Sequence, residues 1–425
     1  MKSPVKSFIR TIHLWLGLAS GLVIVFVCLT GSILAFETEL EHAWHPARYT
    51  VAPATTPALS LAQLTAAVQA YKPKAKISGF KVYADPARSV EVSLAGGPGG
   101  PGGKGGEGRK GEGERNKADA GRPAQGPAAV KGGEGPGKGG KGKGDGGGPR
   151  VYVNPYTGAI LGEMNPRGNF FHTVEQLHRG LVAGKIGKLV MGVSASIFLF
   201  ILATGLVLWW PTARKALTPR LKIKWGSGWK RLNHDFHIVL GFYASLFLFV
   251  MALTGVGMSF DWVGQSINKL THSPLKRPEP PVSVVPAGQA QRPAKIAADA
   301  VLALARQQAP AAESYSLQLP KEPTGSIRVA VLRPGAITEN ATDEVYLDQY
   351  SGQVISGQTY AQRPVGQRIR GLFKPVHTGA IGGLPTKVLA FIIALLGATF
   401  PVTGTILWLN RIRKKGKKQP QLQAA

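Results

Sequence analysis

The sequence predicts an integral membrane α-helical protein with four transmembrane helices in two parallel repeats, each repeat enclosing an outer α+β domain. Three observations support this fold class: four long stretches without charged side chains, basic clusters at alternate ends of those stretches, and a residue pattern that occurs twice. The chain has 425 residues, enough for more than one domain.

The four uncharged stretches cover residues 11–36, 189–213, 236–260 and 388–410. At a rise of about 1.5 Å per residue, each is long enough to cross the roughly 30 Å hydrocarbon core of a bilayer. The first stretch is longer than the apolar part of a signal peptide and is built like the third. We therefore expect it to remain as a membrane helix.

The basic residues of the chain, whose net charge is +28, predict its orientation. Residues 211–235 contain seven Lys or Arg, residues 410–425 contain six, and residues 1–11 contain three. The positive-inside rule places both termini and the middle loop in the cytoplasm and the two long segments outside. Because these charges flank membrane spans, the lipid bilayer is an expected partner and nucleic acid is not.

The duplicated pattern relates the first helix to the third and the second to the fourth. His13 and His237 each precede a Thr-Gly dipeptide by 17 residues, and the two copies lie 224 positions apart. His178 and His377 each precede another Thr-Gly dipeptide by 26 residues. Both halves begin inside, so the repeats are parallel, with a pseudo-two-fold axis along the membrane normal.

The long outer segments also share a pattern. Amphipathic helices are predicted over 58–70 and 290–308, strands over 89–94 and 326–332, and each segment continues into a hairpin whose turn contains Gly158 or Gly352. Residues 96–149 interrupt the first domain. Of these residues, 24 are glycine and none follows an apolar period, so this insert is predicted to be disordered. A basic tether for anionic partners is the alternative.

These signals divide the chain into nine parts. The predicted boundaries are a cytoplasmic N-terminus at 1–11, a first span at 12–36, a first outer domain at 37–185 with the insert 96–149, a second span at 186–210, a basic cytoplasmic loop at 211–235, a third span at 236–260, a second outer domain at 261–386, a fourth span at 387–409, and a basic cytoplasmic tail at 410–425.

Four of the nine histidines recur at matched positions, and these are the candidate ligands. His13 and His237 each stand above a strip of small residues at positions four, seven and eight further along the helix. The strips are Gly17, Ser20 and Gly21 in one copy, and Gly241, Ala244 and Ser245 in the other. An imidazole above a smooth strip in an apolar bundle is typical of a b-type haem ligand. Close helix packing through small residues is the alternative.

His178 and His377 lie just beyond the outer ends of the second and fourth helices, in glycine-rich surroundings. Recurrence at matched spacing favours haem ligation over the alternative of two solvated loop histidines. Arg179 and Lys374 are candidate partners for haem propionates. A straight second helix would leave His178 about 15 Å above Lys188, so the glycines must fold these histidines inward if they bind haem.

The remaining polar residues support weaker hypotheses. His234 with His237, or His42 with His45, are spaced to hold a surface metal, but no tight cluster suits a zinc or copper site. Cys28, the single cysteine, is assigned no role. The Thr-Gly dipeptides are interpreted as structural. Glu37 and Asp261 fit either interfacial caps or proton-handling groups.

In these residues the chain resembles the PepSY-associated transmembrane helix proteins, also described as iron-regulated or siderophore-reductase-like membrane proteins. The resemblance covers nearly the whole chain except 96–149. It is carried by Ile12-His13-Leu-Trp-Leu-Gly17, Leu177-His178-Arg179-Gly180, Leu202-Ala-Thr-Gly205-Leu-Val-Leu-Trp209-Trp-Pro211, Phe236-His237-Ile-Val-Leu-Gly241, Val376-His377-Thr-Gly379 and Thr403-Gly404-Thr-Ile-Leu-Trp408. The Asn154-Pro-Tyr-Thr-Gly158 and Asp348-Gln-Tyr-Ser-Gly352 turns look like the strand ends of PepSY domains.

The resemblance implies a haem-b-containing reductase of the bacterial inner membrane, with PepSY-like domains in the periplasm. Such a protein passes electrons from a quinol or a cytoplasmic donor to a ferric siderophore, releasing Fe(II). Carried onto this chain, it makes His13, His237, His178 and His377 the haem ligands, with two haems expected and at least one required. A non-enzymatic, membrane-anchored binding or regulatory protein is the main alternative, and a permease is a weaker one. No siderophore-binding residue follows from the sequence, because Arg363, Arg368 and Arg370 are equally plausible as surface charge.

Overall fold

The structure is a computed structural model that describes residues 4–96, 148–276, 278–286 and 294–416. Nearly all of the predicted disordered insert, 96–149, lies outside the described residues, so its disorder stays a prediction. The described helices are α1 (Pro4–Ala35), α2 (Glu37–Trp44), α3 (Pro46–Tyr49), α4 (Leu61–Tyr71), α5 (Phe170–Gly180), α6 (Gly184–Trp209), α7 (Leu217–Leu221), α8 (Trp229–Asp235), α9 (Gly241–Ser259), α10 (Asp261–Leu270), α11 (Ala298–Gln308), α12 (Val365–His377) and α13 (Gly383–Gly416). The strands are β1 (Ile77–Tyr83), β2 (Val90–Leu94), β3 (Arg150–Val153), β4 (Ile160–Met164), β5 (Ser314–Gln318), β6 (Ile327–Leu332), β7 (Asp343–Leu347) and β8 (Val354–Gln358).

Four helical spans in the described residues are long and apolar enough to cross a membrane, which confirms a multi-pass membrane protein. We call them TM1 to TM4, and they cover Pro4–Ala35, Gly184–Trp209, Trp229–Ser259 and Ala380–Arg413. TM1 and TM3 begin seven or eight residues before the predicted spans, because helix continues through their basic ends. Many large apolar side chains remain exposed on these spans, as expected of surfaces that face lipid. Leu22, Phe200 and Leu246 are 84%, 64% and 67% exposed.

The spans form a ring in which TM1 packs against TM2 and TM4, and TM3 packs against TM2 and TM4. Small residues allow the closest approaches. A β-carbon at Gly21 would lie 3.2 Å from Pro401, and one at Gly397 would lie 2.9 Å from Sγ of Cys28. Cys28 is buried in this TM1–TM4 contact, where it packs as a small apolar residue.

TM3 contains one irregular turn. Residues Phe236–Leu240 form a π-helical segment between α8 and α9, and His237 lies inside it. The matching histidine, His13, lies in the regular α-helix α1. π-Helical turns insert one extra residue per turn and are frequent at functional sites. This turn was not predicted from the sequence.

The eight strands of the described residues belong to a single antiparallel sheet with the order β4-β3-β2-β1-β5-β6-β7-β8. Its two central strands come from the two different outer segments: Gly79–Tyr83 of β1 pairs with Ser314–Gln318 of β5. The sequence predicts one α+β domain per segment but not that the two join. Their pairing removes an exposed edge from each four-stranded half, which is a general way to protect a sheet. We call the β1–β5 pairing the seam.

One hydrophobic core lies on one face of this sheet. Strand residues alternate, so Val92, Val151 and Val329 point into the core and are at most 1% exposed. Helices α4 and α11 cover this face with Val68 and Val301, both fully buried. Because helices and strands from both segments share this core, the two segments form one structural unit.

The predicted hairpin turns are present. Asn154 Oδ1 accepts hydrogen bonds from the backbone N–H groups of Tyr156 and Thr157, and Gly158 has a positive φ of 71°. Asp348 Oδ1 plays the same part in the second turn with Tyr350 and Ser351, and Gly352 has φ 72°. A positive φ is accessible to glycine without steric cost, which explains the residue type at both positions.

Asp348 makes the second half of the sheet sensitive to acid. Its burial favours the protonated form, but N–H donors from Ser351, Tyr350 and Val284 outweigh this and hold the pKa below its usual value. The stability that these bonds contribute is present above the unfolded pKa of about 3.9 and is lost as the pH falls through the folded pKa. We expect D348N to lower the melting temperature at pH 6 and to reduce its further fall between pH 6 and pH 3. Melts followed by circular dichroism test this, and an unchanged pH dependence would contradict it.

The seam leaves no room for a side chain at Gly79, where a β-carbon would overlap the carbonyl of Leu317. We expect G79A to destabilise the sheet by about 1–3 kcal/mol, the usual cost of overpacking. G357A is the matched control, because a β-carbon in strand β8 would lie 3.9 Å from the nearest backbone oxygen, that of Glu344. Denaturant unfolding of both variants in detergent measures the difference. Equal stability of G79A and the parent protein would show that the seam is not tightly packed.

Candidate functional site

The structure brings the four recurrent histidines together as two facing pairs, one near each end of the bundle. The ring centroids of His13 and His237 are 6.5 Å apart, with the rings nearly perpendicular at 89°. Those of His178 and His377 are 6.0 Å apart at 66°. Each pair takes one histidine from each half of the chain. We call them the basic-end pair and the sheet-end pair.

The basic-end pair is held by the opposite helix of each half. Nδ1 of His13 lies 2.9 Å from Oγ1 of Thr204 in TM2, and Nδ1 of His237 lies 2.9 Å from Oγ1 of Thr403 in TM4. Phe400 also packs edge-on against His237, with ring centroids 6.0 Å apart. These contacts anchor each ring at Nδ1 and leave Nε2 without a protein partner among the hydrogen bonds of the described residues.

The sheet-end pair reaches the bundle because the chain turns sharply between a short helix and the following span. Between α5 and TM2, Leu181 and Val182 adopt positive φ values of 51° and 57°. Gly180 and Gly187 lie so close that a β-carbon at Gly187 would overlap the Gly180 carbonyl. Helix α5 therefore folds back onto TM2 and TM1. His178 lies against TM1 instead of extending away from the membrane, as the sequence analysis required for a ligand at this position.

Thr30 and Thr254 hold the sheet-end pair as Thr204 and Thr403 hold the other. Nδ1 of His178 is 3.1 Å from Oγ1 of Thr30 and 3.1 Å from the carbonyl oxygen of Val27. Nδ1 of His377 is 3.1 Å from Oγ1 of Thr254 and 2.8 Å from the carbonyl oxygen of Met251. Because a carbonyl can only accept, Nδ1 carries the proton in both rings and Nε2 carries the lone pair.

The small-residue strips serve two purposes in the structure. Next to the basic-end pair, a β-carbon at Gly17 would meet nothing within 4 Å, and one at Gly241 would meet only Phe400 at 3.9 Å. Further along the strips, Ser20, Ala244 and Ser245 are buried between helices. Open space therefore adjoins the histidines, whereas the rest of each strip packs helices together, as the alternative interpretation proposed.

A cavity of about 810 Å³ adjoins the sheet-end pair. This volume lies within the range of roughly 300–1,000 Å³ that is typical of ligand and cofactor sites. Both histidines line it, together with Arg179, Lys374 and Glu37. Arg179 is bound to Glu175 at 2.8 Å. Burial raises the pKa of Glu37 above its usual value, and the nearby Lys374 only partly offsets this. The lining of the cavity thus combines apolar helix residues with side chains of both charges.

The other candidate residues lie apart from the two pairs or have separate partners. His234 Nδ1 lies 3.2 Å from Asp235, and His42 packs on Tyr49 with ring centroids 4.0 Å apart. Within the described ranges, no group of three or more His, Cys, Asp or Glu side chains is placed to hold a metal ion. Asp261 is the first residue of α10, as Glu37 is of α2, where a negative charge interacts favourably with the helix dipole.

The three arginines that the sequence left open are now distinguished. Arg363 binds Glu344 at 3.1 Å and Arg368 lies over the Tyr360 ring at 5.6 Å, so both support the join between sheet and α12. Arg370 alone among the three lines the cavity, where its guanidinium packs on Gly264.

The threonine partners are the site residues that sequence reasoning missed. The Thr-Gly dipeptides were interpreted as structural, and each threonine does donate to a carbonyl of its own helix. The structure adds that each one also contacts a candidate histidine of its own half, which lies in the other span for His13 and His237 and in α5 or α12 for His178 and His377. The signal was present in the sequence, because the four Thr-Gly dipeptides, one in each span, match the four recurrent histidines in number and spacing.

Comparison with known protein families agrees with the geometry. The family model described as the PepSY-associated TM region matches residues 10–411, nearly the whole chain. A search of curated proteins finds no matching relative. The match runs from within TM1 to within TM4 and so includes both histidine pairs and the sheet. The chain therefore belongs to the PepSY-associated TM region family.

Proposed function

We propose that this protein is a haem-b-containing reductase that passes electrons across the bacterial inner membrane to a ferric siderophore in the periplasm. The observation that carries the proposal is the pairing of the four recurrent histidines, two by two, with Nδ1 anchored in every ring. Rings anchored at Nδ1 present Nε2 as the free ligand nitrogen, which is how protein histidines commonly bind metals.

The spacing of the pairs fits a metal bound between them. Metal–imidazole bonds are about 2.0–2.1 Å long. Since a ring centre lies roughly 1 Å beyond its nitrogen, two imidazoles on one metal have centroids about 6 Å apart. The observed 6.5 Å and 6.0 Å agree with this. Within the described part of the chain, no third His, Cys or carboxylate joins either pair to form a metal site. Two protein ligands suit a haem, whose macrocycle supplies the remaining ligands.

The surroundings supply the rest of a haem site. At the sheet end, Lys374 and Arg179 are among the residues that line the cavity of about 810 Å³, and they would pair with the acidic substituents of a bound haem. Arg179 must then exchange or share its contact with Glu175. At the basic end, Gly17 and Gly241 leave space beside the histidines. Bound there, haem would supply reversible one-electron transfer between its ferric and ferrous states.

The positions of the two histidine pairs suggest a direction for electron transfer. Seventeen residues separate His13 from Thr30 on TM1, and 17 separate His237 from Thr254, so the two sites lie about 25 Å apart along the bundle. The positive-inside rule assigns the basic-end pair to the cytoplasmic side, with both termini, and the sheet to the periplasm. We therefore propose a quinol or cytoplasmic donor at the basic end and the ferric acceptor at the sheet end, with the halves arranged as parallel repeats.

Iron release is the proposed outcome. Siderophore oxygens are hard ligands that suit Fe(III) better than the softer Fe(II), so one electron weakens the complex and frees the metal. The sheet-end pair lies beside the cavity, whose lining includes residues of α5, α10 and α12 from the two outer segments, and this cavity is the proposed site of approach to the sheet-end haem. The PepSY-like sheet is the proposed surface that receives this complex.

A visible spectrum is the decisive test. The protein, purified in mild detergent after expression with adequate haem, should show a Soret band that shifts on reduction with dithionite, and two haems per chain. H13A and H377A should each lose one of the two. Absence of a Soret band would refute the reductase and favour the membrane-anchored binding or regulatory protein. Full haem content in either variant would refute that ligand assignment.

A further inference from the structure

Each of the four threonines that contact a candidate histidine has a hydroxyl group with one hydrogen and two kinds of neighbour. Oγ1 of Thr204 lies 2.9 Å from the carbonyls of Phe200 and Ile201 in its own helix, and 2.9 Å from Nδ1 of His13. A carbonyl cannot donate, so the threonine donates to its own helix. Its oxygen then has only acceptor capacity left for the histidine.

The same arrangement occurs at all four sites. Thr30, Thr254 and Thr403 each lie 2.8–3.2 Å from two carbonyls of their own helix and 2.9–3.1 Å from a histidine Nδ1. Threonine bonding back to its helix is common and needs no histidine. What helix packing does not explain is why every one of these threonines lies within hydrogen-bond distance of Nδ1 of a recurrent histidine.

The glycine after each threonine completes the contact. A β-carbon would lie 3.0 Å from Cε1 of His178 at Gly31 and 3.1 Å from Cε1 of His237 at Gly404. At Gly205 and Gly255 the corresponding distances to His13 and His377 are 3.4 Å and 3.3 Å. The imidazole edge therefore rests on the glycine while Nδ1 meets the threonine, which fixes both the position and the rotation of the ring.

We propose that the four Thr-Gly dipeptides are positioning residues that hold each histidine in its Nδ1–H tautomer and turn Nε2 toward the facing histidine. The proposal rests on the proposed function and assigns residues that act on haem through its ligands. An acceptor on Nδ1–H fixes the tautomer and makes Nε2 a more basic ligand, and loss of such a partner typically costs 10- to 100-fold in metal affinity.

The two histidine pairs differ in how far the hydrogen bonding of Nδ1 depends on threonine. In the sheet-end pair, the carbonyls of Val27 and Met251 accept from Nδ1 at 3.1 Å and 2.8 Å in addition to the threonines. In the basic-end pair, the carbonyl of Ile201 interacts with His13 and that of Phe400 with His237. The Nδ1 contacts that have hydrogen-bond geometry there are those to Thr204 and Thr403, at 2.9 Å each. Loss of a threonine hydroxyl should therefore affect the basic-end pair more.

The experiment replaces the hydroxyl by a methyl group of the same shape. T204V is measured in the H377A background, where the basic-end haem is the one expected to remain, and T30V is measured in the H13A background. Haem titration and the reduction midpoint are recorded for each, with T204S and T30S as rescue variants. We expect T204V to lower haem affinity roughly 10- to 100-fold and to raise the midpoint. T30V should show a smaller change, and both serine variants should match their parents.

The possible failures are distinguishable. A parent protein that binds no haem refutes the proposed function, whereas a haem-replete T204V with unchanged affinity and midpoint refutes only the positioning role. A T204S that behaves like T204V also overturns it, because serine keeps the hydroxyl. If T204V does not yield folded protein, T204A is compared with T204S by the same two measurements, and equal values again overturn the proposal.

Discussion

H178A is expected to abolish delivery of electrons to an external ferric siderophore while leaving one haem per chain. The side chain of His178 supplies one of the two nitrogens of the sheet-end pair, and His377 faces it at 6.0 Å between ring centroids. Loss of a ligand should exceed the 10- to 100-fold effect of losing a partner behind a ligand, so we expect more than a roughly 100-fold fall in Fe(II) release. Ferrozine-trapped Fe(II) and haem per chain are the two measurements.

H172A is the matched control for this prediction. His172 lies on the same helix, α5, six residues earlier, and has no counterpart in the second half. It should keep two haems and the parent rate. If H178A retained the parent rate of Fe(II) release, the sheet-end pair would not lie on the electron path, whatever the haem content of the variant.

G187A is expected to disable the sheet-end pair without touching any histidine. A β-carbon at this position overlaps the carbonyl of Gly180, so α5 must move away from TM2. That movement carries His178 away from Thr30 and Val27, where its Nδ1 now bonds. We expect loss of the sheet-end haem, retention of the basic-end haem, and a loss of Fe(II) release as large as that of H178A.

The control for G187A is another glycine replaced by alanine in open space. A β-carbon at Gly228, which precedes α8, would meet nothing within 4 Å, so G228A should bind two haems. Circular dichroism and gel filtration of G187A establish that the bundle is folded. A folded G187A with two haems would show that the close packing of Gly180 on Gly187 does not position His178.

The spans and the histidines were predictable because both depend on local sequence. The length of an uncharged stretch and the recurrence of His13 at His237 can both be read from the sequence, without knowledge of any tertiary contact. The inward fold of His178 was not predictable in this way. It depends on backbone turns at Leu181 and Val182, non-glycine residues with positive φ that local preference disfavours.

The joined sheet and the threonine contacts also lay beyond the sequence, for a common reason. The seam pairs β1 with β5, and Thr204 meets His13 from 191 positions away. Such contacts are set by how elements pack, which periodicity within one element does not report. The π-helical turn at His237 is a smaller instance, since its extra residue leaves no recognised mark in the sequence.

The seam has a mechanical consequence for the whole molecule. Each histidine pair spans the two halves, and the halves are tied outside the bundle by five paired positions from Gly79 with Gln318 to Tyr83 with Ser314. Alternating access in transporters rocks one repeat against the other. Here such rocking would have to break a continuous backbone ladder and a shared apolar core. The sheet therefore opposes rocking of one half against the other, which argues against a permease. It suits the proposed electron transfer, in which the two histidine pairs keep a constant separation.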